Sequence, residues 1–144
     1  MTQEPFIQPR FVGPRFEGHT LPLSAAKLVG GIEALMGLKD GWLEGEGKAP
    51  NPEHLTGLVN KMAQLFPAGL ESPAVVPTED GNVVFEWIRP QARIEVEVNF
   101  AGKQLDFYAT NLKTNDFEEA TYSPDEWTDV FTKVSTLNLL PCLR

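Results

Sequence analysis

Apolar and polar residues alternate along the chain from Val83 to Thr110. Val83, Phe85 and Trp87 fall on one side of this alternation. Ile94, Val96, Val98 and Phe100 then alternate with Arg93, Glu95, Glu97 and Asn99, and Leu105, Phe107 and Ala109 follow around Asp106 and Tyr108. A period of two with one apolar and one polar face predicts antiparallel strands packed on one side and wet on the other. Asp80-Gly81, within Glu79-Asp80-Gly81-Asn82, predicts a hairpin turn, and Ala101-Gly102-Lys103 a second turn. Ala74 to Val76, closed by Pro77, reads as a short first strand. The third strand is expected over 93–100, and Phe117 to Tyr122 is a candidate fifth strand.

Helical spacing flanks this meander. Leu28, Val29, Ile32, Leu35 and Met36 form one stripe, which predicts a first helix over 24–38 with Ser24 as its N-cap. Gly30 and Gly31 weaken that helix by about 1 kcal/mol each relative to Ala, and either permit close backbone packing or mark a break. Asn51, Pro52 and Glu53 are start signals for a second helix, whose buried stripe is Leu55, Leu58, Val59, Met62, Leu65 and Phe66. Ser123-Pro124-Asp125-Glu126 reads as a capping box with proline at the first helical position. Trp127, Val130, Phe131 and Val134 then give a face that docks on the sheet, and Leu137, Leu139, Leu140 and Leu143 close one end of the core. The predicted class is α+β: two N-terminal helices, an antiparallel β-meander of four to five strands, and a C-terminal helix packed on the sheet. An α/β arrangement needs helical crossovers, and there is no room for them between Val83 and Thr110.

At 144 residues the chain suits one domain, able to bury roughly 70% of its extended surface. Two parts are expected: an extended segment over 1–20 and a single α+β domain over 21–144. Pro5, Pro9, Gly13, Pro14 and Gly18 interrupt any helix in the first part. Yet Phe6, Ile7, Phe11, Val12 and Phe16 give it more apolar surface than a free tail carries. It is expected to lie over the domain or over a partner, with Arg10 and Arg15 pairing with acids on the receiving surface.

Formal charge is −8, which argues against binding nucleic-acid phosphate. Between Asp106 and Asp129, seven acids face one lysine, Lys113. This is either a solvated face or a docking surface for a basic partner. The single cysteine, Cys142, excludes an intramolecular disulfide and suits a reducing compartment. The start carries no signal-peptide pattern and no apolar run approaches a membrane span, so a soluble, cytoplasmic protein is expected.

Candidate chemistry is sparse. His19 and His54 have no Cys or second His at metal-ligand spacing. No Gly-x-Ser-x-Gly elbow is present. Gly45-Glu46-Gly47-Lys48 is followed by Ala49 where a phosphate loop needs Ser or Thr, and its carboxylates would repel phosphate. Neither catalytic residues, nor a cofactor, nor a metal site is assigned. Glu95 and Glu97 lie side by side on the exposed sheet face, where with Arg93 they could centre a binding surface. Trp87 and Trp127 fit the core, whereas Trp42 sits in a glycine-rich loop as either an anchor or a contact residue.

Two resemblances touch these segments. The run from Leu38 to Pro50 (Leu-Lys-Asp-Gly-Trp-Leu-Glu-Gly-Glu-Gly-Lys-Ala-Pro), followed by a helix and a strand with Phe85-Glu86-Trp87, resembles a group of small bacterial proteins of unassigned activity. That likeness spans about residues 35–100. Leu43 stands where the group's pattern carries an aspartate. The resemblance implies a place among antitoxins, immunity proteins or accessory factors. Residues 10–23 also resemble a segment found at the start of other small bacterial proteins, which implies a portable docking element.

Two functions follow as expectations. The first is a non-enzymatic protein-interaction module, an antitoxin- or immunity-like inhibitor or an assembly subunit. It would bind a basic protein partner through Phe11, Arg15, Phe16, Trp42, Glu118, Glu119 and Asp125. No nucleic acid or membrane is expected as a partner, and oligomeric state is left open. The alternative is a small hydrolase or ligand-binding domain at the glycine-rich loop, with Trp42 stacking on substrate and Glu44 or Glu46 as base.

Overall fold

The computed structural model describes residues 21–142, with side chains described through Leu137. It shows an α+β chain with a five-stranded antiparallel sheet and a C-terminal helix. Helix α1 covers Leu23–Glu33 and passes into a 3-10 turn over Ala34–Gly37; α2 covers Pro52–Leu65. The strands are β1 (Ala74–Pro77), β2 (Val83–Ile88), β3 (Ala92–Asn99), β4 (Gln104–Asn111) and β5 (Phe117–Tyr122), and helix α3 covers Trp127–Cys142. The strands pair in sequence order, each with its neighbour. Among the described residues no helix is long and apolar enough to cross a membrane.

Alternation in the sequence becomes two faces of this sheet. Val83, Phe85 and Trp87 of β2, Ile94, Val96 and Val98 of β3, and Leu105 and Phe107 of β4 are all buried. They form one core cluster with the apolar stripes of the three helices. Trp127 of α3 lies 5.7 Å from Phe85 and 5.2 Å from Phe131, ring centre to ring centre. Phe66, the residue after α2, meets Phe131 edge-on at 5.2 Å. Aromatic pairs in these geometries add to the area they bury. The indole N–H of buried Trp87 donates to the Glu71 carbonyl at 2.7 Å, so its polar handle is satisfied.

Local chemistry explains the element ends and corrects some expectations. Asn51 caps α2 by accepting the Glu53 N–H at 2.7 Å. Ser24, expected to cap α1, does not: Pro22 holds the N-cap position without a side-chain bond. The Ser24 hydroxyl instead donates to the Ala68 carbonyl at 3.4 Å, tying α1 to the turn after α2. The first helix is also shorter than expected, because its last turn tightens to 3-10 geometry, as helix ends commonly do. Gly31 explains one of the two glycines. A Cβ there would stand 2.9 Å from Val75 Cγ2 in β1, so glycine lets α1 approach the sheet. Gly30 faces open space.

Only half of the expected capping box forms, in the turn ahead of α3. Glu126 Oε1 accepts the Ser123 N–H at 2.7 Å, and Ser123 Oγ accepts the Asp125 N–H at 3.2 Å. The first helical bond then runs from the Val130 N–H to the Glu126 carbonyl, so proline sits in the turn rather than in the helix. The side chains of Leu139, Leu140, Cys142 and Leu143 lie outside the described ones.

Candidate functional site

The face of the sheet turned away from the core carries the densest charge. Strand pairing sets its rows. Ala74, Glu86, Glu95, Tyr108 and Glu119 stand side by side across the five strands. Val76, Val84, Glu97, Asp106 and Thr121 form the next row, and Ile88, Arg93, Thr110 and Phe117 a third. These rows hold five carboxylates and one guanidinium. Arg93 bridges two of the carboxylates: its Nη2 lies 3.0 Å from Glu95 Oε2 and bonds Glu86 Oε2, while its Nε donates to Glu86 at 3.0 Å. Apolar side chains border the acids. Ile88 is 64% exposed, Phe117 59% and Val76 41%, and Tyr108 stacks on Phe117 at 6.3 Å. No helix of the described residues contributes to these rows.

Crowding on this face perturbs its ionisable groups. The Glu95 carboxyl is pushed up, first by burial and then by its hydrogen bond to Glu86, with Arg93 opposing. The Tyr108 hydroxyl is also raised, by burial first and then by the negative field of Asp106, Glu97, Glu119 and Glu95. Both shifts express an excess of negative charge in a partly desolvated setting. The remaining acids have polar neighbours. Asp106 accepts from Gln104 Nε2 at 2.8 Å and from Thr121 Oγ1 at 3.4 Å. Glu97 accepts from Asn82 Nδ2 at 3.0 Å.

Asn82 is the one buried polar side chain of the described residues, 9% exposed. Besides donating to Glu97, it accepts the Phe100 N–H through Oδ1 at 3.2 Å. It therefore pins the β1–β2 turn to the far end of β3.

The predicted contact residues are dispersed. Phe11, Arg15 and Phe16 lie outside the described residues. Glu118 and Glu119 are exposed neighbours on β5 but point to opposite faces, as successive strand residues must. Glu119 joins the open face beside Tyr108. Glu118 pairs with Ala109 in register and turns toward α3, where it forms an ion pair with Lys133 and raises that ammonium's pKa. A cavity of about 400 Å³ opens on that side, with Ile94, Ala109, Glu118 and Leu137 in its lining. Asp125 sits in the turn before α3, away from both. The acidic run from Asp106 to Asp129 is thus three surfaces rather than one.

The glycine-rich loop is a miniature hairpin. Leu43 and Glu46 exchange backbone bonds of 2.8 and 2.9 Å. Between them Glu44 and Gly45 both have positive φ, at 51° and 91°, the backbone of a type I′ turn. Trp42 spends its indole N–H on the Lys48 carbonyl at 3.1 Å. A Cβ on Gly47 would come within 3.1 Å of the same nitrogen, so the ring lies against that glycine. Asp40 Oδ1 accepts the Ala49 N–H at 2.9 Å and closes the base. Lys48 N–H bonds the Glu79 carbonyl at 2.8 Å, joining the loop to the β1–β2 turn. Trp42 is an anchor of this loop, while Glu44 and Glu46 are exposed on it.

His54 is exposed and stacks on Phe100 at 4.8 Å. Among the described residues no group of three or more His, Cys, Asp or Glu side chains is placed to hold a metal ion. Comparison of the chain with protein-family models, with curated proteins and with solved structures finds no match. What fold and site define is therefore a class by geometry: an α+β domain with an antiparallel sheet that the described helices cover on one face only, the other face being acidic and bordered by apolar side chains.

Sequence reasoning missed Glu86 on this surface and the buried Asn82 that supports Glu97, and it grouped Asp106 with the acids that follow it in the chain rather than with Glu95 and Glu97. Alternation alone places Glu86 and Asp106 opposite the core residues of their own strands. Only the pairing register brings them beside Glu95 and Glu97.

Proposed function

We propose that this protein is a non-enzymatic interaction module that receives a basic protein partner on the open face of its sheet. The single observation that supports this most is the composition of that face. Carboxylates of four neighbouring strands converge there, with exposed apolar and aromatic side chains at the margins. A protein interface needs both parts: charge to steer the encounter and reject wrong partners, apolar anchors to hold it. The two sheet edges are poorer docking sites. Edge strand β1 has four residues, ends in Pro77 and follows Pro73, and β5 carries Glu118 and Glu119, the devices that discourage edge pairing.

Binding there would act by occlusion, covering the partner's basic surface. That is the action of an inhibitor of the antitoxin or immunity type, or of an assembly subunit. The test is capture of partners from the source cells at low and high salt. Full-length protein is compared with the double variant Glu95→Gln, Glu119→Gln. The expected result is a protein retained by the wild type at low salt, released at high salt, and lost to the folded variant. Retention that is indifferent to salt and to both substitutions overturns the reading.

A further inference from the structure

The core-facing side of the sheet loses bulk toward one end. Strand register sets its rungs. Phe85, Val96, Phe107 and Ala120 stand across β2 to β5; Trp87, Ile94, Ala109 and Glu118 come next; Ala92 beside Asn111 comes last. Strand β4 thus passes from Phe107 through Ala109 to Asn111. Helix α3 packs on this side, with Val134 buried and Leu137 against the core. Where alanines replace larger side chains, the cavity of about 400 Å³ opens, with Ala92, Ile94, Ala109 and Leu137 as its apolar lining. A space of this size falls within the range of small-molecule sites, roughly 300–1,000 Å³. Leaving it unfilled forfeits packing contacts that a larger residue at position 109 would supply.

The rim of the cavity is acidic. Asp116, just before β5, lies two positions from Glu118, so the two side chains share a direction. The Asn111 N–H donates to the Asp116 carbonyl at 2.9 Å, which carries the β4–β5 ladder one step further. Glu118 already holds an ammonium, that of Lys133 from α3. Asp116 has no cation paired with it among the described residues. Both charged residues in the lining are these acids.

The geometry points to a binding site here for a small amphipathic amine, a primary ammonium on an apolar alkyl or aryl body. The body lies on Ala92, Ile94, Ala109 and Leu137. The ammonium meets the Asp116 carboxylate, as Lys133 meets that of Glu118. An anionic ligand is repelled by both acids, and a neutral one gains nothing from them. This site lies on the opposite side of the sheet from the open face, so it stands or fails independently of the partner proposed there.

The test uses the full chain, isotope-enriched, with amide signals read by NMR. It is titrated with hexylamine, phenethylamine and tryptamine. Hydrocinnamate and phenethyl alcohol serve as anionic and neutral counterparts of phenethylamine. At least one amine is expected to bind with a Kd of about 1 mM or tighter, moving the signals of Ala92, Ile94, Ala109 and Asp116. Asp116→Asn should weaken that binding about threefold to fivefold, the range of a partly exposed ion pair. Ala109→Leu fills the floor and should abolish it. Asp116 is exposed, so its substitution keeps the fold and the test holds even where Ala109→Leu does not fold. Four results overturn the proposal: none of the amines moves these signals at about 10 mM; either counterpart binds as tightly as phenethylamine; Asp116→Asn leaves the Kd unchanged; or folded Ala109→Leu binds as the wild type does.

Discussion

Replacing Asn82 with alanine should cost this protein more stability than any other single polar substitution among its described residues. The side chain is 9% exposed and makes two hydrogen bonds, to Glu97 Oε2 at 3.0 Å and from the Phe100 N–H at 3.2 Å. A neutral hydrogen bond contributes about 0.5–1.5 kcal/mol net, and one to a charged group about 1.5–3 kcal/mol. Their sum is about 2–4.5 kcal/mol, and the half-buried setting of Glu97 and Phe100 lets water recover part of it. The expected loss is about 2 kcal/mol, which at a urea slope of roughly 2 kcal/mol/M moves the unfolding midpoint down by about 1 M. Fluorescence of the buried Trp87 and Trp127 reports the transition. Asn82→Asp sharpens the test, because the shape is kept and Oδ1 can still accept from Phe100. At neutral pH a second carboxylate then faces Glu97 at hydrogen-bond distance, and the variant should be at least as unstable as Asn82→Ala. In acid, one of the two carboxyls protonates and donates to the other, so the deficit relative to wild type should shrink. A loss below about 0.5 kcal/mol for Asn82→Ala, or an Asn82→Asp deficit unaffected by pH, would refute the assigned role.

Three further outcomes are expected. Gly31→Ala places a methyl 2.9 Å from the stiff Val75 side chain and should destabilise by about 1–3 kcal/mol through overpacking, whereas Gly30→Ala meets nothing within 4 Å and should stabilise by up to about 1 kcal/mol; chemical denaturation of the pair reads both signs. Because the Glu95 carboxyl is raised above its ordinary value of 4.5, the folded state holds this proton more tightly than the unfolded state, so its contribution to stability falls as pH rises from that value through the raised one; Glu95→Gln should flatten this part of the stability–pH curve, and an unchanged curve would contradict the assignment. Gly47→Ala must adopt a φ of 90° and crowd the Trp42 ring, so it should loosen the loop, expose Trp42 to a fluorescence quencher, and lower stability by at least about 1–2 kcal/mol.

Much of this architecture is legible in the residue order because its causes are local. Strand alternation from Val83 to Thr110 needs only the two-residue period of an extended chain, and it marks the buried side chains of β2, β3 and β4. The start of α2 is equally readable, since Asn51, Pro52 and Glu53 act within one turn. Even the five-strand order follows from turns too short for a crossover. Misreadings occurred where a side chain had two possible partners. Ser24 has the chemistry of an N-cap but spends its hydroxyl on Ala68, a carbonyl 44 positions away in sequence. Glu126 accepts the Ser123 N–H in a turn ahead of α3 rather than in its first turn, while Ser123 Oγ takes the Asp125 N–H instead of that of Glu126.

The site depended on tertiary structure almost entirely. Seven acids between Asp106 and Asp129 read as one patch along the chain. Folding sends Glu119 to the open face, Glu118 to Lys133 under α3, and Asp125 to a turn, because neighbouring strand residues point apart. Alternation along β3 already sets Glu95 and Glu97 side by side, and strand register then brings Glu86, Asp106 and Glu119 beside them. Nothing in the sequence near Asn82 announces that its amide joins a turn to the end of β3. Nor does the sequence show that the indole N–H of Trp42 is taken by the carbonyl of Lys48. Secondary structure here was determined by short-range periodicity and capping, which sequence carries directly. The grouping of charges was decided by strand register and side-chain facing, which exist only once distant segments pair.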